Sequence, residues 1–574
     1  MKPLRHSAAG IIAAALVAGA LALAAPASGA IAVDDPPEGK VTIAAVTPGS
    51  GPVSVAVVMP LTVPPTTTGL LDATTLAGYT QPGGLLAKQL DAVIDTTVAI
   101  GLDPMVTASI QVLGTSAPPS ALEFLARLRA ASNQVFLLAY ADADPAVAAT
   151  AGATAELAPL GFDFAIDPAN FGPAVTPTAT TGPSATPDPT TTDLPADGPQ
   201  PLPSMEDLLS WPTTLEAIAW PAEGTVTADS LDPLAALGYA DVLLAGSNVS
   251  NTATALVDLG DIDGLVTDGD VTAAARDAAY APSPSGYQEA IVRMDEALAE
   301  RAAADPGRTL IVTLDRRWSF GILRVPDLIA AIEAGISSQL VPLSDVLAGP
   351  RGSAQLVETD AEGGGSRADT VGRLADAARA EEAFLVIADD ATVISQPRRL
   401  ALLGLSAAAW RADDTGWETA TEEFTAATAA TLDAVQIAEG GSDQLLLSDV
   451  SSLRMQVSNA LPVAVTVYLT VRPLRPLLHV EDSSVEVVLE ADSTSIAAVP
   501  VESLINGDVT VRAELHAATG QTVGDFRFVK VILRAGWETA GTLIVGSLVV
   551  LIFGGGLVRS ILRKRREAAA GAAE

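Results

Sequence analysis

The feature that most constrains this chain is an uncharged apolar segment near its C-terminus. Residues 541–558 are apolar or small and carry no charge. A helix rises about 1.5 Å per residue, so this segment covers a hydrocarbon core of roughly 30 Å. Five basic residues follow it: Arg559, Arg563, Lys564, Arg565 and Arg566. By the positive-inside rule these cations stay in the cytoplasm, so we predict a transmembrane helix over 538–558 and a basic cytoplasmic tail over 559–574.

The N-terminal residues agree with an exported chain. Lys2 and Arg5 precede an apolar stretch over 8–25, and small residues follow at 25–30. This pattern predicts a signal peptide over 1–30, with a flexible lead-in over 31–50. An uncleaved N-terminal anchor is the alternative. Both interpretations place the middle of the chain outside the cell, as the ectodomain of a single-pass cell-membrane protein.

Composition excludes several kinds of chemistry. The chain has no cysteine, which excludes disulfides, thiolate metal sites and a Cys nucleophile. Its three histidines are His6, His479 and His516, so the long stretch between the first two has no imidazole for a Ser-His-Asp triad or a metal. No phosphate-binding glycine motif follows a strand. We therefore expect no metal and no cofactor.

The chain is also strongly acidic, with a net charge of −36. Because the two termini are net positive, the middle is more acidic than the whole. Such a surface repels the phosphates of nucleic acids, so we expect no nucleic-acid partner.

Short apolar runs alternate with Ala-rich helical segments from Val53 to Leu314. Continuous apolar strands separated by helices are typical of a parallel sheet covered by helices. The pattern predicts an α/β barrel-like domain over 51–350, with a flat doubly wound sheet as the alternative. A Pro/Thr-rich insertion over 174–204 interrupts it and is predicted to be disordered.

Two further parts follow in the sequence. Residues 351–444 have a helical pattern and are predicted to form a helical connector. Residues 445–535 alternate apolar and polar side chains in short runs, with turn sequences such as Asn506-Gly507 between them. Five or more such strands predict an antiparallel, immunoglobulin-like β-sandwich next to the membrane.

Polar side chains that follow barrel strands lie on the face where such domains build active sites. Glycosidases place two carboxylates across the scissile bond, and aromatic rings stack on sugars. The catalytic candidates are therefore the carboxylates Asp142, Asp144, Glu223 and Asp315. The ligand-binding candidates are Asp103, Tyr140, Trp220 and Trp318.

The same residues also fit purely structural roles. In a chain with 68 acidic residues, a carboxylate after a strand is expected by chance. Asp103-Pro104 and Asp144-Pro145 are ordinary helix-start sequences, because Asp caps a helix and Pro suits its first position.

Several segments occur in a distinctive order along the chain. They are Leu102-Asp103-Pro104, residues 138–144, residues 219–224, residues 315–318, residues 457–462, residues 537–541 and Gly556-Leu557-Val558-Arg559. Through these segments the chain resembles an uncharacterised family of actinobacterial single-pass envelope proteins, often encoded near the lipid II flippase. The resemblance implies an N-terminal domain like the barrels of glycoside hydrolases and polysaccharide deacetylases, and a role in envelope assembly. The Asp-His-His metal site of the deacetylases has no counterpart here.

Three functional hypotheses follow. The first is a non-catalytic scaffold or glycan-binding accessory of cell-wall assembly, whose partners are wall glycan or envelope membrane proteins. The second is a glycosidase-like hydrolase that uses paired carboxylates at the barrel rim. The third is a protein–protein interaction module of a membrane complex.

Overall fold

A computed structural model of the chain describes residues 51–172, 202–250, 254–316, 323–357, 364–438, 443–534 and 537–570. The predicted signal peptide and lead-in, nearly all of the Pro/Thr-rich insertion, and Trp318 lie outside these ranges. Within them the chain is multidomain: a parallel-sheet part, a helical part, two curled sheets and one apolar C-terminal helix, as the sequence predicted.

The parallel-sheet part alternates strands and helices. Its strands are β1 (Val53–Leu61), β2 (Ala99–Leu102), β3 (Val135–Leu137), β4 (Ile218–Ala219), β5 (Asp241–Leu244), β6 (Val249–Ser250), β7 (Leu256–Asp258), β8 (Asp263–Val266), β9 (Thr309–Thr313), β10 (Ser338–Leu340), β11 (Arg351–Ser353) and β12 (Gln355–Leu356). Its helices are α1 (Ala73–Thr80), α2 (Leu85–Val93), α3 (Pro104–Gln111), α4 (Pro119–Ala130), α5 (Pro145–Thr150), α6 (Met205–Leu209), α7 (Ala228–Ala236), α8 (Gly269–Ala279), α9 (Pro284–Ala304), α10 (Val325–Ala334) and α11 (Leu343–Leu347).

Parallel pairing brings the ends of these strands together. Strand β1 pairs with β2, β9 and β10, and β2 pairs with β3. In a second sheet β5 pairs in parallel with β4 and β8, while β7 runs antiparallel to β8. A parallel bridge between Thr267 and Ile311 links the two sheets. The central strand β1 is apolar and almost wholly buried, as expected for a strand covered on both faces.

One buried apolar cluster collects side chains from β1, β2, β3, β4, β5, β7, β8 and β9. It includes Ala56, Ala99, Phe136, Ile218, Leu243, Leu265 and Ile311. The opposite faces of β1 and β9 pack in a different cluster with α2 and α10, through Val57, Leu90, Leu310 and Leu328. The strands therefore bury both faces, one against other strands and one against helices.

The helical part comprises α12 (Gly364–Phe384), α13 (Thr392–Leu405) and α14 (Asp414–Leu432). It packs directly on the parallel-sheet part, since Leu400 and Leu403 of α13 belong to the same buried cluster as β1 and β2. The close approach needs glycine: Gly69 has φ +61°, and a Cβ there would lie 1.9 Å from the Leu400 carbonyl oxygen. The helices therefore cover one end of the parallel strands.

The C-terminal sheets contain β13 (Val435–Ile437), β14 (Gln444–Leu446), β15 (Val450–Asn459), β16 (Val465–Pro473), β17 (Leu478–Val480), β18 (Val485–Leu489), β19 (Ser493–Ser503), β20 (Gly507–His516) and β21 (Thr522–Leu533). One sheet has the order β13-β15-β19-β17 and the other β14-β21-β20-β16-β18. Alternate residues point inward, as β16 shows with Val465, Val467, Leu469 and Val471 all buried. Residues of both sheets join in one core.

The chain ends in α15 (Trp537–Ala570), which confirms the predicted apolar C-terminal helix. Its stretch Gly541–Arg566 includes an 18-residue segment with a mean hydropathy of 2.2 and is long and apolar enough to span a membrane. The helix continues without a break through the basic residues at 559–566.

Candidate functional site

The carboxyl ends of β2, β3, β4 and β9 place several of the predicted site residues beside one another. Asp103 follows β2, residues 140–144 follow β3, Trp220 follows β4, and Arg316 follows β9. Asp103 caps α3 and Asp144 caps α5, each with Pro at the first helical position, as the Asp-Pro sequences suggest. We call the set Asp103, Tyr140, Asp142, Asp144, Trp220 and Arg316 the rim cluster.

Asp103 ties two segments of the rim together. One of its carboxylate oxygens accepts hydrogen bonds from the backbone N–H groups of Met105 and Ala141, both at 2.9 Å. The side chain is 1% exposed. Burial raises the pKa of Asp103 well above its usual range, and the nearby Asp142 carboxylate raises it further.

Tyr140 and the residues after it form a tight turn. Ala141 has φ 58° and Asp142 has φ 53°, a left-handed conformation that is rare outside glycine. The Tyr140 hydroxyl donates to the Gly69 carbonyl oxygen at 2.8 Å, next to α13. Burial raises the pKa of Tyr140 well above 10, with a second contribution from Asp103. The phenol is therefore a neutral structural donor.

Asp142 forms a buried two-point ion pair with Arg316. The Arg316 Nε lies 2.5 Å from Asp142 Oδ2, and its Nη2 lies 2.9 Å from Oδ1. The same Nη2 donates to the Trp220 carbonyl oxygen at 2.6 Å, and the guanidinium lies 5.2 Å from the Trp220 ring centroid. Burial raises the pKa of Asp142, and the Arg316 charge opposes that rise. Both side chains are at least 87% buried, so the pair is part of the interior.

Arg316 was not among the sequence candidates, although it belongs to the segment 315–318 in the family resemblance. The sequence did contain a feature that could have identified it. An arginine close to the end of an apolar strand is conspicuous in a chain with 32 basic and 68 acidic residues. A buried carboxylate pair needs a cation, and arginine is the side chain best suited to pair with it at two points.

Asp144 is surrounded by donors. Its Oδ1 accepts from the Ala146 and Val147 N–H groups at 3.0 and 3.1 Å, and its Oδ2 accepts from the Ala222 N–H at 3.0 Å. The Thr225 hydroxyl adds a bond of 3.2 Å. Burial raises the pKa of Asp144, while these backbone donors lower it. The carboxylate therefore holds the loop after β4 against the start of α5.

The structure does not bring Glu223 and Asp315 into the same arrangement. Glu223 is 55% exposed and pairs with Arg276 at 2.6 Å. Asp315 lines a small cavity beside Arg316, and its carbonyl oxygen accepts from the Tyr280 hydroxyl at 3.0 Å. These two carboxylates lie at the edge of the rim cluster rather than in it.

Two small cavities adjoin the rim cluster among the described residues. One cavity lies beside Met59, Lys88 and Arg316, another beside Trp220 and Asn248, and each has a volume of about 10 Å³. That is room for about one water molecule. The helical part contacts the rim, since the Asp144 N–H donates to the Ser406 carbonyl oxygen at 2.8 Å. Among the described residues, no group of three or more His, Asp or Glu side chains is placed to hold a metal ion.

A family model described as "Family of unknown function (DUF6049)" matches residues 41–573. No curated protein matches the chain. Among solved structures, the α-amylase AmyC from Thermotoga maritima is 8% identical, with a TM-score of 0.38, over 67% of this chain and 93% of the amylase. Trypsin-activated α-2-macroglobulin from Escherichia coli is 18% identical, with a TM-score of 0.15, over 18% of this chain and 7% of that protein. The C. elegans MSP family member WR4 is 7% identical, with a TM-score of 0.14, over 18% of this chain and 98% of WR4.

Proposed function

Since this chain belongs to the family of unknown function DUF6049, whose description assigns no activity, we propose a function from the rim geometry: a membrane-anchored, extracytoplasmic, non-catalytic scaffold or glycan-binding accessory of the cell envelope. The observation that supports this proposal is the burial and hydrogen bonding of the rim carboxylates. Asp103, Asp142 and Asp144 are all buried and all bonded to protein donors.

A glycosidase needs two carboxylates that face the same open cleft, one able to protonate the leaving group and one able to attack or to activate water. Asp142 has both oxygens on Arg316, and Asp144 has its oxygens on backbone donors. Freeing either carboxylate for a substrate would leave a buried charge or an unsatisfied helix start. The arrangement therefore favours a structural rim over a catalytic one.

We also propose finer descriptions of both folded parts. Side chains from eight strands share one core, and the Thr267–Ile311 bridge joins the two sheets, which supports a barrel-like closure of the parallel-sheet part. Two sheets around one core, antiparallel except for the parallel pairing of β14 with β21, support an immunoglobulin-like class for the C-terminal sheets.

The proposed topology places the N-terminal ectodomain outside the cell and the C-terminus in the cytoplasm. It is supported by the apolar helix and by the basic residues that follow its apolar stretch. A reporter fused after Glu574 should be protected from protease added to intact cells. Cleavage of that reporter would contradict the topology.

The activity test uses the full-length protein in detergent micelles or vesicles, with purified peptidoglycan and wall polysaccharides. We expect binding or co-sedimentation of a wall component, or capture of a membrane protein of the envelope, with no release of new reducing ends. Asp91→Asn, an exposed ion-pair carboxylate, is the control variant for Asp142→Asn and Asp144→Asn. Release of reducing ends that is lost in Asp142→Asn or Asp144→Asn, with thermal unfolding unchanged, would establish hydrolysis and refute the scaffold.

A further inference from the structure

Three loops of the C-terminal sheets meet at the point where β21 ends. They are the loops 447–449, 474–477 and 504–506. The Ser503 N–H donates to the Asp449 carbonyl oxygen at 2.7 Å, and the Leu504 N–H donates to the Leu477 carbonyl oxygen at 2.9 Å. The last residue of β21, Leu533, is in register with Leu446 and Gly507. These loops therefore surround the residue from which the chain leaves for α15.

Large apolar side chains at this end are exposed. Leu447 is 65% exposed, Leu504 52% and Ile505 57%, and Val450 and Leu474 are similarly exposed. We call these five residues the apolar end. They come from all three loops and the first residue of β15, so separate parts of the sequence supply one apolar surface. A cluster of exposed apolar side chains marks a contact with another molecule or with a membrane.

The other end of the same sheets has a different character. Its loops, 460–464, 490–492 and 517–521, contain no exposed large apolar side chain, and they carry Glu490 and Asp492. This end is also in contact with the helical part. Ala388 forms a bridge with Val465, and the Asp389 N–H donates to the Ala464 carbonyl oxygen at 2.9 Å. The rest of the described ectodomain therefore attaches at the end opposite the apolar end.

The chain length between the apolar end and the membrane is short. Leu533 ends β21 and Trp537 begins α15, a separation of at most about 14 Å even when fully extended. The apolar stretch begins at Gly541, one helical turn further, or about 6 Å. The end of β21 thus lies within roughly 20 Å of the hydrocarbon, and the headgroup layer occupies several ångströms of that distance.

We propose that the apolar end inserts into the headgroup region of the outer leaflet, as a second membrane contact beside the transmembrane helix. Leucine, isoleucine and valine side chains gain from leaving water at such an interface. Two contacts separated in space fix an orientation that a single flexible linker cannot. The inserted loops would hold the C-terminal sheets upright and the parallel-sheet part away from the bilayer.

The partner is a bilayer of zwitterionic or mixed character, recognised through its apolar boundary rather than through charge. The strong overall acidity of the chain opposes binding to an anionic surface in general. At the apolar end, Arg475 and Arg534 are exposed beside the loops and Asp449 is exposed within one of them, so this end carries charges of both signs. The contact uses the membrane anchor of the proposed function, but it does not depend on the scaffold role.

The absence of cysteine from the sequence allows single-cysteine labelling of the full chain. The label site is Leu504→Cys, and Ile496→Cys is a matched control, since Ile496 is 59% exposed on β19. Thr519→Cys reports the opposite end. Each variant is labelled with an environment-sensitive fluorophore and reconstituted in phosphatidylcholine vesicles, with or without a nitroxide-labelled lipid.

We expect the label at position 504 to shift its emission to shorter wavelength and to be quenched by the nitroxide lipid. Labels at 496 and 519 should show neither effect. Adding Leu474→Asp and Ile505→Asp to Leu504→Cys should abolish the shift and the quenching without changing thermal unfolding, because both side chains are exposed. A label at 504 that behaves like the label at 519 would overturn the proposal. So would a shift without lipid quenching, which would mean that a protein surface covers the apolar end.

Discussion

Replacement of Arg316 by methionine tests the structural role of the rim cluster. The change removes the guanidinium that pairs with Asp142 and donates to the Trp220 carbonyl oxygen, while it keeps an apolar side chain of similar length. The Arg316 and Asp142 side chains are only 13% and 6% exposed, so water cannot solvate the Asp142 carboxylate that is left without its partner. Breaking such a buried pair from one side costs about 3–5 kcal/mol.

In a domain of this size, each kcal/mol lowers the unfolding temperature by about 2–4 °C, so we expect a loss of roughly ten degrees. The assay is thermal unfolding of the full-length protein in detergent, followed by circular dichroism. Arg293→Met is the matched control. Arg293 pairs with Asp277 at 2.7 Å, but both side chains are 52% exposed, and loss of such a surface pair costs about 0–1 kcal/mol.

The pH dependence of the variant's stability provides a second, independent test of the ion pair. Burial raises the pKa of Asp142, and in Arg316→Met the opposing Arg316 charge is gone. The native state then binds a proton more readily than the unfolded state does, so stability rises as pH falls. The deficit of the variant should therefore be largest near pH 7 and shrink toward the ordinary pKa of Asp, about 3.9.

Adding Asp142→Asn to Arg316→Met removes the stranded charge. The double variant should recover part of the lost stability at neutral pH and lose the added pH dependence, which is the mark of a coupled pair. Two results would refute the reasoning. One is an Arg316→Met protein as stable as the control at pH 7, and the other is a deficit that grows as pH falls.

Three other changes test separate features. Gly69→Ala places a Cβ against a backbone oxygen at φ +61° and should cost more than about 1 kcal/mol in thermal unfolding, whereas Gly83→Ala, at φ +79° in open space, should cost less. Asp144→Ala removes a helix cap and an interloop bond and should cost about 1–3 kcal/mol in urea unfolding, while Asp167→Ala, an exposed cap, should cost less. Burial raises the pKa of Asp241 to about 6, so ionisation of this residue lowers stability as pH rises through that value. Asp241→Asn should therefore gain unfolding temperature relative to the parent near pH 7 but not near pH 4, and an equal difference at both pH values would contradict this.

The sequence was most informative where one local pattern decides the structure. The apolar run that begins at Val53 corresponds to β1, Val53–Leu61, because a continuous apolar run of this length has few alternatives to a buried strand. The Asp-Pro pairs at 103 and 144 begin helices because both residues favour that position. The uncharged C-terminal segment is equally unambiguous, since its length and composition match a bilayer.

Contacts between segments that are distant in sequence could not be predicted from these local patterns. The apolar face of α13 is visible as a periodic pattern, but the pattern does not say that Leu400 and Leu403 pack in the same core as β1. The ion pair of Asp142 with Arg316 joins residues 174 positions apart. Spacing rules describe neighbours in a helix or strand, and they contain no information about a partner brought in by the closure of a sheet.

This difference decides how a carboxylate after a strand should be interpreted. The residue type is the same in a catalytic site and in a cap, and only the donors around it separate the two. Asp144 has its oxygens on the N–H groups of its own helix and of the loop after β4, and Asp142 has both on Arg316. The side chains of a surface that binds a partner must instead be free of hydrogen bonds and ion pairs on which the fold depends. Leu504 and Ile505 meet that condition, because they are exposed and their removal leaves the core intact. The rim carboxylates Asp142 and Asp144 are therefore committed to the fold, while the exposed side chains of the apolar end are available for the proposed membrane contact.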